Sequence, residues 1–434
     1  MPNDIIPLHL YSLVDCNCFF VSCEKLFRPD LRNRAIVVLS NNDGVVVSRS
    51  PEAKKLGIPM GESYFKIKRL VEHGLVTAFS SNYRMYGDLS NRVMRTLTRW
   101  TPNVEIYSID ESFMDFTGLG VKHSEIDSLL HEITSTVKRW TGIPVSIGLG
   151  PTVTLSKVAN DLAKKGDGTC SLVDVDKRRA ALEQMEIGEV WGIGRRLVPK
   201  MRKLGIRSAL QLADMDPLWM RREFSIVLER LVRELNGERC LELHTIPQPR
   251  QSIQVSRSFR EATDDYRVLE EGVSTFATKA CEKARQDGTV ASAIYVHLNT
   301  SYFKEGYVSG GLVRGLDVPT AYTPRVIRVA LELLGQIYRP GLMYKKASVT
   351  LLDTKNAKAV QSQGLLFDSD GQTPEQRQQD AGLMESVDRI NHLLGPGKVF
   401  FGAQGTTQNW RGASDHCSPG YTTNWRELPV VKAK

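Results

Sequence analysis

The chain is 434 residues long, more than one hydrophobic core usually organises, so two to four domains are expected. Apolar residues make up 41% and charged residues 24%, which excludes a wholly disordered, collagen-like or disulfide-scaffold chain. The 57 Lys and Arg outnumber the 49 Asp and Glu, and the net charge of +8 points to an acidic partner, nucleic acid first, without establishing one.

No apolar run approaches the roughly 18 residues that cross a bilayer. The start, M-P-N-D-I-I-P-L-H-L, lacks a basic stretch followed by a long apolar one, so neither a membrane partner nor secretion is expected. Cysteines number 7, none in a C-x-x-C pair, and Cys16, Cys18 and Cys23 have no histidines at zinc spacing. Reduced thiols in a cytoplasmic protein follow.

In chain order, Leu8 to Val14 predicts an apolar strand ending at Asp15, then a helix that stops before Pro29. Ala35 to Leu39 is a second apolar run, broken by S-N-N-D-G. Val104 to Ile109 and Phe113 to Phe116 predict two strands that meet at S-I-D-E-S as a hairpin. Ile126, Leu129, Leu130, Ile133, Val137 and Trp140 repeat at helical spacing, and Val145, Ile147 and Leu149 alternate as a strand. With residues 40 to 100 set aside as an insertion, the order resembles a split β-α-β sheet with helices on one face.

Residues 171 to 240 are Arg-rich and helical in composition, with W-G-I-G-R-R and K-L-G-I. From 245 to 355, strands at Ala293 to Leu298 and Ala347 to Leu352 mix with helices around 268–286 and 323–338. Residues 361 to 380 carry six glutamines and predict a flexible linker. A short helix, Leu383 to Leu394, and a Gly, Thr and Trp-bearing tail finish the chain.

The strongest local feature is D-C-N-C-F-F at Asp15, set against S-I-D-E-S-F at Asp110 and Glu111. Phosphoryl transfer with two hard cations needs carboxylates converging from neighbouring strands, and a carbonyl such as that of Cys16 would complete one coordination sphere. An Asp at a strand end also serves as a helix N-cap, and Asp-Glu in a turn is often just solvated. Asp115 lies close by, but alternation along its strand would point it differently from Asp110.

The ordered set D-C-N-C-F-F-V-S-C-E, S-N-N-D-G-V-V-V-S-R-S, S-S-N-Y-R-M-Y, E-I-Y-S-I-D-E-S-F and V-W-G-I-G-R-R resembles the Y-family translesion DNA polymerases. The S-S-N-Y segment and a tail bearing S-P-G-Y-T-T look most like the UmuC branch, which forms the catalytic subunit of bacterial DNA polymerase V.

The resemblance implies an α+β, multidomain, right-hand polymerase. Residues 1–40 and 100–170 would form a ferredoxin-like palm and 41–99 small fingers. Residues 171–240 would form a helical thumb with a helix-hairpin-helix, 245–355 an α/β little finger, and 356–434 a linker and UmuC-type tail. Asp15, Asp110, Glu111 and the Cys16 carbonyl would bind two Mg²⁺ ions, with dNTP as substrate.

Phe20 matches the steric-gate position, where an aromatic ring against C2′ leaves no room for a ribose hydroxyl, and Phe19 would pack under the incoming nucleotide. Ser48, Lys54 and Lys157 match triphosphate-binding positions. Pro51 and Val153 depart from the family pattern, standing where some relatives carry a tyrosine and a second lysine. Gly192, Gly194, Arg195 and Arg196 would grip a DNA phosphate, although an ordinary helix–helix turn reads the same way.

Gln363, Leu366 and Phe367, in Q-G-L-L-F, resemble the peptide by which bacterial polymerases plug into the sliding clamp. The implied activity is error-prone synthesis past lesions in SOS mutagenesis and DNA repair, in the bacterial cytoplasm. The implied partners are damaged primer-template DNA, a UmuD′-like dimer, RecA and the sliding clamp. Two other readings share some of these features: another two-metal phosphoryl-transfer enzyme such as a nuclease, and a catalytically silent DNA-binding scaffold.

Overall fold

A computed structural model describes residues 9–243, 249–362, 373–406, 410, 412 and 414–430. Two compact units emerge: Met1–Ser40, Gly44–Pro247 and Asp415–Lys434 form one, and Asn41–Asp43 with Gln248–Ser414 form the other.

The first unit begins with β1 (Tyr11–Cys16), α1 (Phe19–Phe27), β2 (Ile36–Leu39), β3 (Val46–Arg49), α2 (Pro51–Lys55), α3 (Tyr64–Glu72), β4 (Thr77–Ser80) and α4 (Tyr83–Leu97). It continues with β5 (Val104–Ile106), β6 (Glu111–Asp115), α5 (Ile126–Thr141), β7 (Val145–Gly150), α6 (Val153–Lys165) and β8 (Thr169–Ser171). Five strands make one sheet in the order β5-β6-β1-β7-β8. Every residue of β1 is buried, as suits an apolar central strand paired on both edges. The strand runs through Asp15 and ends at Cys16, so Asp15 lies inside the ladder.

Helices cover both faces of this sheet, not one. Val14, Met114, Ile147 and Leu149 pack in the core that holds Leu89, Val93, Leu130 and Ile133 of α4 and α5. On the opposite face, α6 lies so close to β7 that a Cβ on Gly148 would sit 2.0 Å from the Asn160 backbone nitrogen. Asn160 is fully buried there and its Nδ2 donates to the carbonyls of Leu13 (3.1 Å) and Ser146 (2.9 Å). Glycines on one side of β7 and branched residues on the other therefore admit a helix to each face.

A smaller sheet has the order β3-β2-β4, with β2 parallel to β4 and antiparallel to β3. Ile36–Leu39 thus joins the inserted segment and not the large sheet. Trp140 also leaves the expected apolar face of α5: it is 51% exposed, with the Arg99 guanidinium over its ring at 4.5 Å.

Residues 175–235 form α7 (Val175–Gln184), α8 (Val198–Lys203), α9 (Ala209–Ala213), α10 (Pro217–Glu223) and α11 (Ile226–Leu235), packed with α6 around Leu155, Leu182, Met201, Leu212 and Val232. At the chain's end, Ser80 of β4 and Cys417 form an isolated parallel bridge.

The second unit holds β9 (Ser252–Thr263), α12 (Tyr266–Gln286), β10 (Thr289–Thr300), β11 (Ser309–Thr320), α13 (Thr323–Ile337), β12 (Tyr344–Asn356), α14 (Ala357–Ser362) and α15 (Pro374–Leu394). Its antiparallel sheet has the order β11-β10-β12-β9, and α12 and α13 share its core. Helix α15 begins nine residues earlier than the apolar pattern indicated, inside the glutamine-rich stretch. Thr373 and Gln376 form a capping box and Pro374 takes the first helical position, so local end chemistry starts the helix without an apolar stripe. Arg285 grips Asp388 of α15 through two bonds of 2.6 and 2.7 Å, and Trp410 packs against Phe259 and Phe276.

Candidate active site

The pairing of β1 with β6 sets Asp15 directly opposite Glu111, and the Cys16 N–H donates to the Asp110 carbonyl at 2.8 Å. Directly paired residues of antiparallel strands share a face, and here it is the face covered by α6. In the hairpin, Ser108 Oγ donates to Asp110 Oδ1 at 2.6 Å and accepts from the Asp110 and Glu111 backbone amides at 3.2 and 3.0 Å. The serine of S-I-D-E-S thus fixes the turn that presents both acids.

Helix α6 supplies the opposing charge. Lys164 Nζ donates to Asp15 Oδ2 at 2.7 Å. Lys157 Nζ lies 3.3 Å from Glu111 Oε2, and its side chain is 13% exposed. Above Lys157, the rings of Tyr107, Trp191 and Phe113 stand 4.5, 5.2 and 5.4 Å from the ammonium. That cage holds a desolvated cation by ring quadrupoles as well as by the carboxylate.

Burial, aided by Glu111 and Asp110 and opposed by Lys164, pushes the Asp15 carboxyl up to about 6. Burial alone would lower Lys164, but Asp15 beside it more than offsets this and leaves the lysine raised. Near neutral pH the two form a charged pair.

Lys164 was not indicated by motif reading. Seven residues separate it from Lys157, close to two turns of one helix, so both project from the same side. That spacing was the available signal.

Three hard-oxygen acids and a carbonyl on adjoining backbone positions are a donor set suited to Mg²⁺. As the side chains stand, Asp15 turns to Lys164, Glu111 to Lys157 and Asp110 to Ser108. Among the described residues no three acidic, His or Cys side chains form a group ready to hold an ion.

Phe20, the second residue of α1, is half-buried, its ring stacked on Tyr86 at 4.7 Å and edge-on to Tyr83 at 5.8 Å. Phe19 lies in the core against which Phe20 packs and is 3% exposed. Ser48 is buried opposite Val38, on the side of the small sheet that faces the core holding Phe19. Lys54 is exposed on α2. Pro51 occupies the first position of that helix, after the Ser50 cap, where its fixed φ suits helix initiation.

In W-G-I-G-R-R, Gly192 has φ of +95°, which favours glycine, and the Gly194 carbonyl accepts from Leu197 N at 2.7 Å. Arg195 and Arg196 are exposed. The tryptophan of the motif belongs to the Lys157 cage. Gln363, Leu366 and Phe367 lie outside the described residues.

Comparison with known proteins defines the class. The impB/mucB/samB family model matches residues 14–161, its C-terminal domain matches 250–364, and a domain of unknown function, DUF4113, matches 381–431. Among solved structures, a chimeric Y-family DNA polymerase is similar in fold, with a TM-score of 0.64 at 19% identity, covering 79% of this chain and 98% of its own. Protein UmuC of Salmonella typhimurium is 41% identical over 429 residues, covering 98% of this chain and all of that one. Protein SamB of the same species is 40% identical with the same coverage. DNA polymerase IV of Caulobacter vibrioides is 26% identical and covers 79% of this chain. The chain belongs to the impB/mucB/samB family, with protein UmuC among its full-length relatives, and shares its fold with the polymerase chimera.

Proposed function

We propose that this Y-family polymerase adds deoxynucleotides to a primer 3′-hydroxyl opposite damaged template, and that Asp15, Asp110 and Glu111 are its catalytic carboxylates. The observation that carries the assignment is the Asp15–Glu111 register, with Asp110 bonded through its carbonyl to the next residue of β1.

With the Cys16 carbonyl, these acids would hold two Mg²⁺ ions, which supply charge stabilisation for phosphoryl transfer. Lys157 and Lys164 hold the carboxylates' charge until then, and Lys157 with Lys54 and Ser48 would bind triphosphate oxygens. Phe20, on its Tyr86 platform, would block a 2′-hydroxyl. Exposed Arg195 and Arg196 would hold a DNA phosphate without reading sequence.

In this reading the large sheet is the palm, the small-sheet segment the fingers, α7–α11 the thumb and the β9–β12 sheet the little finger. Q-G-L-L-F would engage the sliding clamp, and a UmuD′-like dimer and RecA would activate the chain in the bacterial cytoplasm.

Primer extension past an abasic site with Mg²⁺ and those partners tests the reading. Extension by the chain and none by Asp110→Ala, with primer-template binding retained, is the expected result. Equal extension by both would overturn the carboxylate assignment.

A further inference from the structure

Two segments far apart in sequence, S-S-N-Y at 80–83 and S-P-G-Y at 418–421, form one interface in the first unit. Ser80 N donates to the His416 carbonyl and His416 N donates to Ser80 Oγ, each at 3.0 Å. Asn82 Nδ2 donates to the Ser418 carbonyl (3.1 Å), Ser418 Oγ (3.1 Å) and the Pro419 carbonyl (3.2 Å). Its Oδ1 meanwhile caps α4 by accepting from Met85 N at 3.3 Å. Tyr421 stacks on Phe27 of α1 at 4.7 Å.

Inside this interface Ser418 Oγ donates to Glu24 Oε1 at 3.1 Å. The same oxygen accepts from Tyr86 Oη at 2.6 Å. Glu24 is fully buried, and its Oε2 has no hydrogen-bond partner among the described residues. Two donors on one oxygen therefore fix the carboxylate, and the carboxylate fixes the tyrosine hydroxyl. The hydroxyl lies on the ring's own axis, so its bond to Glu24 fixes where the Tyr86 ring stands, and the preference of a phenolic O–H for the ring plane favours one tilt of the face on which Phe20 stacks.

We propose that the C-terminal segment His416–Tyr421 positions Phe20 through Glu24 and Tyr86, making Ser418 a positioning residue for selection of deoxyribose over ribose. The proposal rests on the reading of Phe20 as the sugar gate. It follows from how fine the discrimination is: the two sugars differ by one oxygen at C2′, so a small shift of the ring changes what fits. Loss of the Ser418 hydroxyl leaves a buried carboxylate one donor short, and its rearrangement would carry Tyr86 along.

The test measures kcat and KM for dNTP and rNTP incorporation by the full chain with its activating partners. Ser418→Ala should lower the dNTP-to-rNTP ratio of kcat/KM about fivefold, mainly through faster ribonucleotide use, and Ser418→Thr should restore it. An unchanged ratio in Ser418→Ala, or equal losses with both sugars, overturns the proposal. Phe20→Ala runs in parallel: if it relaxes selectivity while Ser418→Ala does not, the tail link fails and the gate stands. If Phe20→Ala itself leaves the ratio unchanged, the gate reading fails, and the proposal with it. Should Ser418→Ala not fold, Tyr86→Phe cuts the same link while keeping the ring; an unchanged ratio there overturns the proposal equally.

Discussion

Lys157 and Lys164 stand two turns apart on one helix and each engages a different carboxylate, Glu111 at 3.3 Å and Asp15 at 2.7 Å. The pair divides the charge of the site between them. Their surroundings differ: Lys157 lies under three aromatic rings, while the Lys164 side chain is 36% exposed.

That difference predicts different kinetic losses. Lys157→Met should raise KM for dNTP, lowering kcat/KM about tenfold. Lys164→Met removes an ammonium that competes with a cation for Asp15, so the Mg²⁺ concentration for half-maximal extension should fall about threefold. Titrations of dNTP and of Mg²⁺ on both variants check this; matching behaviour would show that the two lysines share one role.

Gly148→Ala should damage the site from beneath without altering any residue in it. The added Cβ would meet the Asn160 backbone, and a helix cannot yield there as a flexible side chain can. Displacing α6 would draw both lysines from their carboxylates. A stability loss of about 1–3 kcal/mol is expected, with a larger fall in extension rate than that loss explains. Denaturation and single-turnover extension measured together would separate the two effects.

The juxtaposition of Asp15 with Asp110 and Glu111 was legible because strand ends and a tight hairpin carry short, local patterns. Lys164 carries no motif of its own, and only the period of α6, two turns on from Lys157, sets it on the same side. Strands β9 and β11 escaped notice for a different reason. β11 contains Gly310, Gly311 and Gly315 and buries little, and β9 alternates apolar with polar residues too weakly to stand out. The Asn82–Ser418 contact joins positions 336 apart, and no local period can report such a meeting. Phe19 and Phe20 are adjacent in sequence but differ in burial, which the F-F pair alone does not report.

Glu24 should make stability fall as pH rises through the mildly acidic range. Burial pushes its carboxyl up to about 7 from the usual 4.5, against the pull of Tyr86 and Ser418. The folded chain therefore holds this proton more tightly than the unfolded chain. The stabilisation is fully present below the unfolded value and is lost as pH climbs through the folded one. Denaturant midpoints across that window should decline in the parent and decline less in Glu24→Gln; parallel profiles would remove Glu24 from the account.

Trp410→Ala should destabilise the second unit by about 3–5 kcal/mol, the usual result of emptying a buried aromatic site. Trp410 is 7% exposed, sits edge-on to Phe259 and Phe276, and accepts from the Arg260 backbone amide at 3.1 Å. Thermal unfolding followed by tryptophan-independent circular dichroism would measure the loss. A midpoint within a degree or so of the parent would show that this residue anchors nothing.

The pairing of β1 has a consequence for how this protein can fail. No bulge interrupts its ladders with β6 or β7, from Tyr11 to Asp15 on one edge and to Cys16 on the other. A slip of one position would turn Asp15 toward the α4–α5 core and bring Val14 to face Lys164. There is no intermediate setting between those two alignments. Damage elsewhere in the sheet can lower the folded fraction or displace the lysines of α6, but every molecule whose central strand is aligned still sets Asp15 opposite Glu111.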